Sequence, residues 1–448
     1  MNFGRVETYR AMRGRLHAAV RRGRLAVIDI GSSRISCLVL RLDPTRIAEA
    51  EARDRLGTSL FGAIEVVGAR TVQSRGIRRG EIVDMEEVCR AIRLALLNAE
   101  KMAAPRVERV DHVIVSFSGG RPESHFTEAE VETETGQVTE RDLSNVLAAC
   151  PEPSIPEDRQ ILHAQPCEIT VDHQGGITDP RGMTARRLGV ALHVMTVDAR
   201  PLADLMECVR RCDLDLAGVV SAPYASAMAA LVEDEQRAGA ICIDMGGGGT
   251  SFSVFLRDHL MCVEQIRYGG HHVTGDIAAG LLMSQATAER IKTLHGGVVA
   301  TGADDRELID APRIGEEELT ERRQISRGML IGVIRPRVEE TLQLLKSRLD
   351  IIGIDAMPGS GLVLTGAACQ IQGIDELVAR ILGRRPRIGR PLRIAGLPQA
   401  LSGPEYAASV GLAMYALRPH DELWDFEAPS FGARGKAGDM LRWLKRAW

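Results

Sequence analysis

Two stretches of this chain repeat one design, and the repeat limits the folds open to it. Residues 25 to 42, LAVIDIGSSRISCLVLRL, run as an apolar β-rich segment, Asp29, a small polar tip and a second apolar segment. Residues 239 to 256, GAICIDMGGGGTSFSVFL, do the same around Asp244 and a glycine-rich tip. Each reads as a hairpin whose turn is built from residues that tolerate tight backbone geometry. Two such units roughly 200 residues apart point to a duplicated architecture with two related halves facing each other. A chain of 448 residues has room for that, because single cores stop growing near roughly 250 to 300 residues.

The segments between the hairpins alternate helix and strand. Residues 84 to 102 carry apolar side chains at helical spacing, with Asp84 as a candidate cap and Glu87 three residues on. Val110 to Phe117 is a compact strand that ends in Ser-Gly-Gly. From there to about Val194 the texture changes to acidic stretches, a proline-rich break between Pro151 and Pro156, and β-rich runs such as CEITVDH, which suggests a small inserted α+β module. Residues 199–213 and 222–236 read as helices. In the second half, residues 286–295 read as a helix, 298–315 as strands and loop, and 316–349 as a long amphipathic helix interrupted near Pro336. Residues 361–373, GLVLTGAACQIQG, are a strand running into a Gly-Ala-Ala turn and a helix, and after Pro419 the chain is a sparse linker.

Composition is that of an ordinary globular chain, 45% hydrophobic and 26% charged. Its nine cysteines contain no C-x-x-C pair, and no apolar leader opens the chain, so a reducing cytosol is expected. Cys208 and Cys212, four apart on a probable helix, have no neighbouring cluster in sequence to complete a zinc site. The net charge of −4 is unevenly spread. Residues 1 to 24 hold seven Arg against one Glu, and residues 434 to 448 hold five basic residues against Asp439, while the body is acidic. Basic ends suit a polyanion, either anionic lipid or nucleic acid, and a solvated tail is the bland alternative.

The last ten residues narrow that choice. As a helix, DMLRWLKRAW sets Met440, Leu441, Leu444 and Trp448 near one face, Arg442, Lys445 and Arg446 mostly on the other, and Trp443 at the boundary. Trp and Leu opposed to basic residues after a flexible linker is the composition of an interfacial membrane helix. The alternative is a helix docked on the protein's own body. One short helix binds weakly, so self-association would raise its avidity.

Phosphate groups need inward-turned backbone N–H groups and close approach, which tight small-residue turns supply. Three tips have that character: Gly31-Ser32-Ser33; Gly246, Gly247, Gly248 and Gly249 with Thr250; and Gly366-Ala367-Ala368. Asp29 and Asp244 stand identically before two of them, where paired carboxylates can hold the waters of Mg²⁺. Arg34 is a candidate for a phosphate oxygen. The alternative is that both aspartates only cap turns.

DIGSSRISCLV, DMGGGGTSFSV and GLVLTGAACQIQGI resemble, in order, the two phosphate motifs and the adenosine motif of the actin, DnaK-type chaperone and sugar-kinase superfamily. Within it the chain resembles the bacterial division family FtsA over nearly its whole length, through VVGARTVQSRGIRRGEIVDMEEV, VIVSFSGG, ILHAQPCEITVDHQGGITDPRGM, PYASAMAALVEDE and GGHHVTGDIA. The resemblance implies an α/β, actin-like (ribonuclease-H-type) duplicated fold, two domains facing a nucleotide cleft for ATP and Mg²⁺, and an inserted α+β subdomain. The expected division is a basic extension at 1–24, subdomain 1A at 25–119 and 195–221, the insert at 120–194, subdomain 2A at 222–265 and 345–418, subdomain 2B at 266–344, a linker at 419–438 and a membrane helix at 439–448.

The same resemblance sets Glu289 and Lys292 beside the adenosine, makes Arg335 and Arg337 candidates for the acidic C-terminal peptide of FtsZ, and gives the tail residues Met440, Leu441, Trp443, Leu444, Lys445 and Trp448 the membrane. It implies a peripheral protein on the cytoplasmic face of the inner membrane at the division site. There it would tether FtsZ filaments, self-associate and meet later division proteins through the insert, with nucleic acid not expected. Departures bear on chemistry. VVSAPYASAMAA offers no Gln or Glu to orient a water, Thr250 is displaced by one position, and Ala367 stands where glycine is usual, so no catalytic residue is assigned and weak or absent ATPase activity is expected. The competing readings are an ATP-dependent small-molecule kinase of the same superfamily and another actin-like scaffold for pilus assembly or cell shape.

Overall fold

Apolar runs such as Leu25 to Ile28 cannot face water on either side, so they become central strands covered by helices. The computed structural model describes residues 3–47, 62–107, 109–177, 179–315, 323–353 and 361–417. The linker at 419–438 and the tail residues Met440, Leu441, Trp443, Leu444, Lys445 and Trp448 lie outside the described residues.

The chain opens with α1 (Phe3–Arg22), in the part that reads in sequence only as a basic extension. Met12, Leu16 and Ala19 lie within one stripe of this helix and are buried, and Arg15 Nη1 donates to the Leu216 carbonyl at 3.2 Å. Strands β1 (Arg24–Ile30), β2 (Arg34–Leu42) and β3 (Ile64–Gln73) form an antiparallel meander in which Asp29 pairs with Ser36 and Ile30 with Ile35. Helix α2 (Met85–Ala103) starts where expected, Asp84 accepting from the Glu86 and Glu87 amides at 3.1 Å each. Strand β4 (His112–Phe117) then joins β1 in parallel.

The insert interrupts this half at that point. Strands β5 (Glu123–Glu132), β6 (Arg159–Val171) and β7 (Arg187–Asp198) form an antiparallel sheet in the order β5-β7-β6. Helix α3 (Glu140–Ala149), begun by a Thr139–Asp142 capping box, closes its core of Val138, Leu143, Val146, Leu188 and Leu192. The insert is thus a small α+β unit with its own core. Helix α4 (Ala199–Arg211) leads out of it, and β8 (Asp215–Ser221) completes the first sheet, in the order β8-β4-β1-β2-β3.

Helix α5 (Ala222–Ala230), buried at every residue, crosses to the second half. There β9 (Ala240–Met245), β10 (Thr250–Leu256) and β11 (His259–Ile266) form another meander, with β12 (Gly361–Thr365) and β13 (Arg387–Ile388) added in parallel. The order β11-β10-β9-β12-β13 repeats that of the first sheet strand for strand. The duplication read from two hairpins therefore extends to whole domains.

Between β11 and β12 lie α6 (Gly270–Leu281), α7 (Gln285–His295) and α8 (Arg327–Ile352). The sequence led us to expect a helix from residue 316 broken near Pro336. Helix α8 instead begins after a strand at Gln324–Ser326, capped by Ser326 Oγ, and runs through Pro336 unbroken. The proline ring meets the carbonyl four residues back, and that residue is Gly332, which has open space where a side chain would stand. Burial of Leu330, Ile334, Val338, Leu342 and Leu345 on one stripe holds the helix together across the missing hydrogen bond. Helices α9 (Ile374–Leu382) and α10 (Ala407–Tyr415) end the described chain, and α10 returns to pack on α5 and β1.

Candidate functional site

Both hairpin turns close with the same backbone bond, Gly31 N to the Arg34 carbonyl at 3.0 Å and Gly246 N to the Gly249 carbonyl at 2.9 Å. Each therefore ends in a narrow tip, and the two tips meet across the gap between the halves. Ser33 Oγ lies 2.9 Å from His271 Nε2, and the Gly80 amide donates to Ser32 Oγ at 3.0 Å. A Cβ at Gly247 would fall 2.0 Å from Ser33 Oγ and 3.1 Å from His271 Nε2, so glycine there leaves room for the Ser33–His271 contact. Around the tips lies a cleft enclosing about 750 Å³, its open mouth included. Asp29, the residues from Gly31 to Arg34, Asp244, the residues from Gly246 to Gly249, Gly366 and Ala367 all line it.

The two aspartates face this cleft in environments that disfavour their charge. Burial pushes the Asp29 carboxyl above its ordinary range, partly offset by donors from Ser116 at 2.7 Å and Ser409 at 3.4 Å. Burial likewise raises Asp244 to about 6; Ser226 Oγ, donating at 2.6 Å, lowers it, and the negative charge of Asp29 raises it further. Two buried carboxylates, the charge of one raising the pKa of the other, fit a divalent cation with oxygen ligands. Gly366 is required by its backbone conformation as well as by close approach. Its φ is +85°, and a Cβ there would lie 2.4 Å from Asp244 Oδ1.

Other expected residues divide into two groups. Glu289, Lys292 and Ala368 gather around Gly270 at the start of α6, with Lys292 Nζ donating to the Gly270 carbonyl at 3.1 Å, Thr274 Oγ1 at 2.8 Å and Glu289 at 2.7 Å. Thr250 is a correction. It is buried at the root of the second tip, and its hydroxyl donates to the Tyr268 carbonyl at 2.9 Å, because β10 alternates and turns this side chain away from the cleft. Arg34 lines the cleft but also stands 3.8 Å from Glu405 and over the Tyr406 ring at 5.3 Å.

Several cleft residues escaped the sequence reading. Ser226 and Glu405 reach the cleft from segments distant in sequence, Ser116 lies behind it on β4 and holds Asp29, and only Ser226, the one serine of an alanine-rich helix, had any signal of its own. The start of α5 presents Ala222 and Pro223 to the cleft, in keeping with the missing water-orienting group, while Gln265 enters from β11 and donates to the Ser118 carbonyl at 2.6 Å. Elsewhere, Cys208 and Cys212 meet Cys89, a neighbour that sequence did not reveal.

Arg335 and Arg337 both lie on α8 and both are already paired. Arg337 grips Asp276 in bidentate fashion at 2.6 and 3.1 Å, bonds Glu340 and stands over the Tyr268 ring at 5.1 Å. Arg335 bonds Glu339 at 2.8 Å, a carboxylate it shares with Arg380.

Comparison with known proteins fits this geometry. The family model "Cell division protein FtsA" matches residues 241–411, and "SHS2 domain inserted in FTSA" matches residues 119–196, the insert. "Cell division protein FtsA" of Agrobacterium fabrum (strain C58) is 38% identical over 428 residues, 95% of each chain. The chain belongs to the FtsA family. The FtsA of Pseudomonas aeruginosa is 31% identical over 432 residues, covering 96% of this chain and 98% of that one. Membership assigns an actin-like protein of cell division. Among solved structures, the "PilM-PilN type IV pilus biogenesis complex" matches with a TM-score of 0.58 at 16% identity, covering 88% of this chain and 98% of that one. MreB5 of Spiroplasma citri bound to ADP matches with a TM-score of 0.51 at 15% identity, covering 89% and 97%. These likenesses give the actin-like two-domain fold, with the FtsA insert in the first domain. Among the described residues, no helix is long and apolar enough to cross a membrane.

Proposed function

We propose that this FtsA-family chain binds ATP with Mg²⁺ between its halves and tethers FtsZ filaments to the cytoplasmic face of the inner membrane at the division site. The observation that carries the nucleotide half of this reading is the symmetric pair of glycine tips with Asp29 and Asp244 beside them. In this reading the amides of the tips cradle the phosphates, Asp29 and Asp244 hold the waters of the cation, and Glu289 and Lys292 border the adenosine. The bound cation supplies the positive charge that the acid pair lacks and neutralises the phosphates. ATP acts as a structural ligand that ties the halves together and favours self-association, with hydrolysis weak or absent, since the start of α5 offers no group to orient a water.

The membrane half rests on the amphipathic tail sequence and on family membership. FtsZ binding rests on the family and on the arginine-bearing face of α8, where an acidic peptide would take over Arg337 from Asp276 and Glu340. The insert serves self-association and later division proteins.

The deciding experiment is co-sedimentation with anionic liposomes, with and without ATP, comparing the full chain with one ending at Gly438. Pelleting of the full chain alone, strengthened by ATP, is the expected result. Equal behaviour of the two chains removes the tail as anchor and returns the soluble kinase reading to the front.

A further inference from the structure

Three of the nine cysteines meet where α2 crosses α4. Cys89 is buried on α2, Cys208 is buried on α4, and Cys212 is the residue that caps the end of α4. Cys89 Sγ and Cys208 Sγ are 3.3 Å apart. The Cys89 thiol also reaches the Cys208 carbonyl at 3.5 Å, and the Cys212 thiol donates to the Cys89 carbonyl at 3.6 Å. No such company surrounds the other six. Burial pushes Cys150 up to about 11 and Cys167, Cys262 and Cys369 up to about 12, which makes them inert.

We propose that Cys89 and Cys208 form a dithiol site that disulfide oxidants of the glutathione class convert to an intrachain disulfide, with Cys212 as the thiol that reacts first. Cys212 is the least buried of the three, 8% exposed against 4% for Cys89 and 0% for Cys208. It also has the chemistry, because hydrogen bonding from Cys208 and then Cys89, with the nearby Arg93 guanidinium, holds its thiol below the ordinary range despite burial. A thiol lowered in this way carries more of the thiolate that attacks disulfides than its buried neighbours do.

The steps balance. The Cys212 thiolate attacks one sulfur of glutathione disulfide, a mixed disulfide forms, and one glutathione thiolate leaves. The two buried thiols then exchange with that bond, releasing the second glutathione and restoring Cys212, until the bond rests between Cys89 and Cys208, the pair in closest contact. Overall two thiols lose two electrons and two protons, and the oxidant gains them as two glutathione thiols.

The bond would close the chain from residue 89 to residue 208, a loop that holds the entire insert. It would also fix α4 at the joint where Asp198 holds Arg121 at 2.8 Å and Arg159 at 3.0 Å. Constraint of so long a loop restricts the unfolded chain more than the folded one, so oxidation raises the melting temperature.

The test is to incubate the native full-length protein with glutathione disulfide, quench with N-ethylmaleimide, digest, and map thiols by mass spectrometry. The expected result is a cross-linked pair joining Cys89 to Cys208, reversed by dithiothreitol, with a melting temperature raised by several degrees. Cys212→Ser slows the cross-link several-fold, and Cys89→Ala with Cys208→Ala leaves a glutathione adduct standing on Cys212. Reduced Cys89 and Cys208 after exposure of the native wild type, or a cross-link through other cysteines, overturns the proposal. An unchanged rate in Cys212→Ser overturns the role of Cys212.

Discussion

At the scale of single residues, the carboxyl of Asp244 ties the site to pH. Its pKa is raised from 3.8 to about 6, so between those values the folded protein keeps a proton that the unfolded chain has lost. Stability of the ligand-free protein therefore falls as pH rises through that window and is level above it. Cation binding runs the other way, because only the ionised acid can hold it. Calorimetric titration with Mg-ATP is expected to show affinity falling as pH drops below about 6. Asp244→Asn should remove that dependence, weaken Mg-ATP binding at neutral pH, and stabilise the ligand-free protein at pH 7 by up to about 3 kcal/mol. An Asn variant that still titrates like the wild type would show that another group governs binding. Gly366→Ala tests the geometry beside it. A side chain at φ +85° and 2.4 Å from Asp244 Oδ1 should cost about 1–3 kcal/mol in denaturant unfolding and displace the carboxylate, so Mg-ATP binding is lost with the fold retained.

At the scale of elements, what the sequence revealed depended on whether each element's determinants were local. The two hairpins, the Asp84 cap and the α+β character of the insert were legible because apolar runs, a capping side chain and turn residues act within a few positions. Pro336 misled because its local cost is outweighed by the buried stripe of α8, a tertiary effect. Thr250 misled because motif position does not fix which face of β10 a side chain takes. Helix α1 could not be read at all. Its arginines suggested a solvated or lipid-bound extension, yet Leu16 is 1% exposed against the first sheet. Leu16→Ala should accordingly lower unfolding free energy by about 2–5 kcal/mol, as for a core leucine, whereas Arg21→Ala should be near neutral. Equal, negligible effects in a urea titration would mean that α1 is peripheral to the fold.

At the scale of the molecule, the cleft's chemistry was half legible: the glycine tips announce themselves, but Ser116 and Ser226 come to Asp29 and Asp244 through strand and helix packing within each half, and Glu405 comes to Arg34 through the pairing of the halves. That pairing also sets how the cleft opens. Ser33 to His271, Gln265 to Ser118, and Arg267 to Glu81 at 3.1 Å all link the halves near the cleft. A polyphosphate can pass between the tips only after these links part, so association is gated by opening. The Ser33–His271 bond is the link made by the tip itself, and its neutral imidazole, held below its ordinary range by burial and Lys292, contributes as an uncharged hydrogen bond of about 1 kcal/mol. His271→Ala removes that contribution and raises the open population about fivefold. Stopped-flow mixing with a fluorescent ATP analogue should then show association about fivefold faster. An unchanged association rate would place the barrier elsewhere, in the Gln265 and Arg267 links or in the packing of α10 on α5.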